Sequence, residues 1–228
     1  MKAIYAAIGV LSTIIHRSCA NLDVITLNTN GNTWIQEAVA TLVVGNVPNP
    51  ITGDVALWSA IMLDKTDFLQ GVTQNSPRSG YCPNLGRNWC NFAYTLIGST
   101  SPQNGTPISA PPGSRIKTHY KLNSKTDMWD QDLYLNEKLV STISTSKGQH
   151  GKIFYVSIEC ASGTCGIAPA HSWENISVTL NQPDQSFYHS GNWQFNATGG
   201  KMSTADSGKT WNFTTLYIPN TPVKGTVK

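Results

Sequence analysis

The sequence predicts an all-β protein folded as a sandwich of two antiparallel sheets, and three observations predict it. Charged residues make up only 13% of the 228 residues, while Ser, Thr, Asn and Gly abound. Long helices favour the Lys, Glu and Ala that are scarce here. Short apolar runs with period-two alternation recur along the chain, separated by Gly, Pro, Asn and Asp clusters. No amphipathic helix and no repeat of fixed period is present. Many short strands with regular turn signals define a sandwich or jelly roll.

Residues 1–20 combine Lys2, the apolar stretch Ile4–Ile15 and Ser18-Cys19-Ala20, which reads as a secretory signal cut after Ala20. The apolar run is too short to span a bilayer, and no later segment reaches the needed length. Residues 21–31 read as a flexible lead-in, 32–220 as one sandwich domain and 221–228 as a flexible tail. Without Lys2 and Arg17, the 16 basic residues fall to 14 against 13 acidic ones. A near-neutral chain with no basic run gives nucleic acid nothing to bind. Four cysteines remain after the signal, Cys82, Cys90, Cys160 and Cys165. They allow three pairings, and the short loops favour 82–90 and 160–165 over a zinc site, for which neither spacing fits. The sequons at Asn104, Asn175, Asn196 and Asn212 suit the same secreted compartment.

In order, Trp34–Val44 is strand-like and closes on Gly45 and Pro48-Asn-Pro50. The stretch Ala56–Thr73 reads as strand, turn at Asp64–Asp67, and strand. Alternation puts Phe68 and Gln70 on one face and Leu69 and Gly71 on the other. A polar loop from Gln74 to Asn88 follows, with too little apolar content to order itself without the 82–90 staple. Trp89–Ile97 and Arg115–Leu122 are strands, and Trp129–Leu135 with Leu139–Ser144 flank an Asn136-Glu-Lys hairpin turn. Ile153–Ile158 is a further strand, and alternation returns at Ile176, Val178 and Leu180 and over Trp211–Tyr217.

Several chemistries lack their residues. The histidines match no zinc motif, so neither metal nor cofactor is expected. No Gly-x-Ser-x-Gly elbow and no phosphate-binding glycine loop is present. Asp130 and Asp132 share a strand face, as a glycosidic carboxylate pair requires, but their position beside a hairpin favours a solvated face. Glu174 follows Trp173 directly, and an indole beside a carboxyl raises its pKa by desolvation, which suits a general acid or base.

The order Trp58, then Leu69-Gln70-Gly71-Val72, then Ile108 through Arg115-Ile116, Trp129 and Leu135-Asn136, and finally Gly191-Asn-Trp-Gln-Phe, resembles the fungal glutamic peptidases, the eqolisins. The likeness covers about residues 30–220. It implies a concanavalin A-like jelly roll and assigns Gln70 to the family's catalytic glutamine. The family's catalytic glutamate precedes a tryptophan after a cysteine. Here Cys165 leads to His171-Ser172-Trp173, and Glu174, two residues from Ser172 on the same strand face, is the candidate. An intact dyad would use Glu174 to activate water and the Gln70 amide to hold the oxyanion, in acid. The leading expectation is nonetheless a non-catalytic extracellular protein binding glycan or cell-wall material on an aromatic concave face. Its candidate contacts are Trp58, Trp173 and Trp193. An acid glutamic endopeptidase acting on polypeptide is the alternative, and a polysaccharide hydrolase or lyase comes third.

Overall fold

The computed structural model describes residues 20–78 and 80–223, so the expected signal segment lies outside the described residues except for Ala20. The strands, in chain order, are β1 (Ala20–Asn28), β2 (Ile35–Val43), β3 (Gly53–Leu63), β4 (Phe68–Asn75), β5 (Trp89–Ile97) and β6 (Ser101–Asn104). Then come β7 (Ile108–Ala110), β8 (Arg115–Asn123), β9 (Met128–Leu135), β10 (Lys138–Thr145), β11 (Gly151–Gly163), β12 (Gly166–Ala168) and β13 (His171–Leu180). After a short 3-10 turn over Gln185–His189, the chain closes with β14 (Thr198–Gly199), β15 (Met202–Ser203), β16 (Thr210–Phe213), β17 (Leu216–Ile218) and β18 (Thr221–Val223).

These strands form two antiparallel layers. The front layer runs β1-β11-β3-β4-β5, with β6 and β7 both on the far edge of β5. The back layer runs β10-β9-β8-β2-β13, and β16 and β17 continue it beyond β13. One residue pair, Gly151 with Ile35, joins the two ladders. A Cβ at Gly151 would stand 2.8 Å from the Ile35 Cβ, so only glycine lets the layers meet there.

Alternation along each strand decides what enters the core. Val55, Leu57 and Ile61 of β3 and Phe154, Val156 and Ile158 of β11 face inward. They meet Ile116 and Tyr120 of β8, Trp129 and Leu133 of β9, and Trp173 and Val178 of β13. Two buried polar side chains between the layers, Tyr120 and Gln131, are paired, as burial demands. The Tyr120 hydroxyl donates to the Ser59 carbonyl at 2.6 Å, and Gln131 Nε2 donates to the carbonyls of Gln70 and Tyr94.

Gly71 also faces this interior. A Cβ there would stand 2.1 Å from Thr118 Oγ1 and 2.7 Å from Thr118 Cβ. Gly71→Ala should therefore lower stability by about 2 kcal/mol, through overpacking, and adding Thr118→Ala should restore part of it. Urea midpoints test this, and an unchanged midpoint for Gly71→Ala would refute the close approach of the layers.

Three segments differ from the sequence expectation. Residues 21–31, expected as a flexible lead-in, are largely β1, paired with β11. A bulge between Asp23 and Ile25 turns both Val24 and Ile25 inward, each fully buried, which erases the period-two pattern. The expected tail begins with β18, which pairs with β12 and buries Val223. Trp211–Tyr217 is broken into β16 and β17. Both expected disulfides form, Cys82–Cys90 and Cys160–Cys165.

Candidate functional site

The outer face of the front layer carries a second apolar cluster, built on Ala56, Trp58 and Ala60 of β3, Val72 of β4, and Cys90 and Phe92 of β5. The register sets its side chains in rows across β11, β3, β4 and β5. One row reads Glu159, Ala56, Gln74, Cys90. The next reads Ser157, Trp58, Val72, Phe92, and the third Tyr155, Ala60, Gln70, Tyr94. Ala56 and Ala60 are too small to fill their places, and a cleft of about 310 Å³ lies over this face. Its walls include the amides of Gln70 and Gln74, the carboxyls of Asp54 and Glu159, and the rings of Tyr81, Phe92 and Tyr94.

Each wall has a local cause. Cys82–Cys90 ties the loop after β4 down onto β5, and Asn75 Nδ2 braces it by donating to the Asn88 carbonyl at 2.8 Å. Tyr81 is thereby laid on Phe92, with ring centroids 4.3 Å apart in a stacked arrangement. Trp58, 2% exposed, is buried in the apolar cluster of this face with its ring edge-on to Phe68 and Tyr155. Its indole N–H donates to Glu159 Oε2 at 3.0 Å, which fixes that carboxylate on the cleft side of β11.

The site is acidic. Asp54 has its pKa raised to about 6, first by burial and then by the Glu159 charge, as expected for a desolvated carboxyl beside a like charge. Asp54 Oδ1 is buried without a hydrogen-bond partner among the described residues. Gln74 is 6% exposed, and among the described residues its side-chain amide makes no hydrogen bond although it lines the cleft. Burial pushes the Tyr94 hydroxyl pKa up, with Tyr81 and Glu159 adding to it. Among the described residues, no group of three His, Cys, Asp or Glu is arranged to hold a metal.

Gln70 lies in this cleft on the predicted face of β4. Glu174 does not. It projects from the outer side of the back layer, where Arg115 binds it, because Trp173 beside it turns into the core at 1% exposure. Gln70 and Glu174 thus point away from opposite layers with the hydrophobic core between them. No slip of two residues along β13 brings either Ser172 or Glu174 to the cleft. The residue level with Gln70 across β3 is Tyr155. Glu159, one of the two carboxylates that line the cleft, continues the alternation Tyr155, Ser157 past Ile158, the last residue of the strand expected from the sequence.

Of the tryptophans expected to contact ligand, Trp58 is buried beneath the front-layer face and does not line the cleft, and Trp173 is a core residue. Trp193 borders a separate depression with Tyr188, His189 and Lys201, its indole N–H donating to the Gly200 carbonyl. Asp130 and Asp132 share the outer face of β9, as expected, and both are occupied. Ser144 and Asn123 donate to Asp130, and Thr142 donates to Asp132. All four sequon asparagines are exposed. Among the described residues, no helix is long and apolar enough to cross a membrane.

Layer order, rows and cleft together define a concanavalin A-like jelly-roll β-sandwich of two antiparallel sheets. No protein-family model matches the chain, and no curated protein matches its sequence. Among solved structures it resembles that of scytalido-glutamic peptidase with a transition-state analogue inhibitor, with a TM-score of 0.54 and 13% identity, over 85% of this chain and 97% of that one. It also matches galectin LEC-6 of Caenorhabditis elegans, with a TM-score of 0.33 and 8% identity, over 61% of this chain and 94% of that one. At 13% identity the likeness to the peptidase structure concerns the fold alone.

Proposed function

We propose that this chain is a secreted glycan-binding protein on a glutamic-peptidase-like scaffold, with Gln70 acting as a binding amide and not as half of a catalytic dyad. The observation that carries the reading is the cleft wall: Tyr81, Phe92 and Tyr94 stand with two side-chain amides, Gln70 and Gln74, that have no protein partner among the described residues. Apolar faces of sugar rings pack on aromatic rings, and sugar hydroxyls pair with planar amides and carboxylates, so few polar groups fix a ligand in a mostly apolar cleft. Tyr155, level with Gln70, supplies no carboxylate to activate water. Two disulfides, the leader-like N-terminus and four exposed sequons support an extracellular setting.

Calorimetric titration with soluble cell-wall oligosaccharides tests the proposal. Tyr81→Ala is expected to weaken binding about tenfold, on the order of 1.4 kcal/mol, with stability nearly unchanged because Tyr81 is 37% exposed. Absence of any oligosaccharide binding, together with cleavage of a denatured protein between pH 2 and pH 6 that Gln70→Ala abolishes, would overturn it in favour of an acid endopeptidase.

A further inference from the structure

We propose that the flank of the sandwich between β1 and β16 carries a second glycan site, which takes an acidic sugar, a hexuronate whose carboxylate meets Lys201. This site is independent of the cleft and stands whether or not the cleft binds a glycan. β1 is the outermost strand of the front layer, and β16 and β17 continue the back layer beyond β13. The segment between the 3-10 turn and β15 links these two edges. Trp193 bridges to Ile25 of β1, the Gln194 N–H donates to the Val24 carbonyl, and β14 pairs with β17. A depression of about 440 Å³ opens in this segment, with Tyr188, His189, Asn192, Trp193 and Lys201 in its walls. It shares no lining residue with the cleft.

Both aromatic rings of the depression are held in place by the core. Trp211 and Phe213, both buried, lie two residues apart on β16 and so face the same way. Tyr188 lies on Trp211, with ring centroids 5.8 Å apart, and Trp193 stacks on Phe213 at 6.3 Å with an interplanar angle of 18°. Trp193 Nε1 also donates to the Gly200 carbonyl at 3.2 Å. A Cβ at Gly200 would stand 2.5 Å from that same nitrogen, and φ there is +63°, so glycine lets the indole settle. Tyr188 nevertheless stays 46% exposed. An anchored ring left open to solvent is a ready face for the apolar side of a pyranose, and little ordering is needed when the sugar binds.

The polar groups around these rings select the sugar. Lys201 brings an ammonium group and His189 an imidazole, and no carboxyl is among the residues that line the depression. Neither side chain takes part in an ion pair among the described residues. Asn192 adds an exposed amide to the same wall, suited to ring hydroxyls. A hexuronate carries an apolar ring face and a carboxylate on one residue, which matches an open aromatic ring flanked by an ammonium donor. The bond between the two charges is of the stronger, charge-assisted kind. A neutral sugar would use the rings alone, and an amino sugar would be repelled by Lys201.

Calorimetric titration of the full chain with galacturonate, glucuronate and mannuronate tetramers, each beside its methyl ester, tests the proposal. The ester keeps the ring and removes the charge. At least one acidic tetramer is expected to bind about tenfold more tightly than its ester. Lys201→Met, shown to be folded by its melting transition, should erase that preference, and Tyr188→Ala should weaken acid and ester alike. The Trp193 indole N–H resonance, identified by its loss in Trp193→Phe, should shift when the acidic tetramer binds. Equal affinity for acid and ester, a preference kept in Lys201→Met, or binding of none of the tetramers overturns the proposal. Oligosaccharide binding at the cleft is read separately through Tyr81→Ala, so either reading can fail alone.

Discussion

Asp54→Asn is expected to stabilise the protein at neutral pH. The folded-state pKa is raised from 3.8 to about 6. Between those values the folded chain holds a proton that the unfolded chain has lost, so stability falls as pH rises through about 4 to 6. The full cost is present above pH 6. For a carboxyl that is largely buried, a rise of this size corresponds to a cost on the order of 3 kcal/mol. The asparagine variant removes that cost, and its gain over the natural chain should vanish near pH 4. Urea unfolding at pH 4, 5, 6 and 7 measures it, and a gain of equal size at every pH would contradict the account.

His171 is expected to work in the opposite sense over nearly the same range. Burial lowers its pKa from 6.5 to about 4, against a smaller raising effect of its bond with the Pro169 carbonyl. Nδ1 lies 2.9 Å from that carbonyl and so carries the proton, while Nε2 is buried without a partner among the described residues. The unfolded chain therefore takes a proton at a pH where the folded chain does not. Stability contributed by neutral His171 is whole above about pH 6.5 and is lost as pH falls towards 4, by roughly 3 kcal/mol. His171→Asn keeps a donor where Nδ1 stands and should remove this slope. That variant then shows the Asp54 slope alone, and Asp54→Asn shows the His171 slope alone. Parallel pH profiles for both variants and the natural chain would refute both assignments.

Much of the fold was legible because alternation is a local property. Phe68 and Gln70 do share a face, opposite Leu69 and Gly71, and Gly71 does admit a close neighbour, although that neighbour is the Thr118 side chain. The two disulfides followed from loop length. The site was less legible, because alternation tells which residues share a strand face and not which layer the strand joins. Glu174 and Gln70 both sit on polar strand faces, yet β13 pairs with β2 in the back layer and β4 with β3 in the front. Glu159 meets Gln74 only through the register of β11 on β3 and of β3 on β4. Those contacts join distant parts of the sequence, and no local pattern encodes them. Trp173 misled for a related reason, since a large aromatic residue fills a core as readily as it lines a groove.

The central claim is that the working face is the front-layer cleft with Gln70, Gln74 and Glu159, and that Glu174 takes no part. Oligosaccharide affinity in Glu159→Gln, Gln70→Ala and Glu174→Gln, measured side by side on the folded variants, tests it most directly. The account predicts losses of about tenfold for the first two and none for Glu174→Gln, whose part-exposed ion pair with Arg115 is worth no more than about 1 kcal/mol of stability. Binding lost in Glu174→Gln and kept in Glu159→Gln would contradict it.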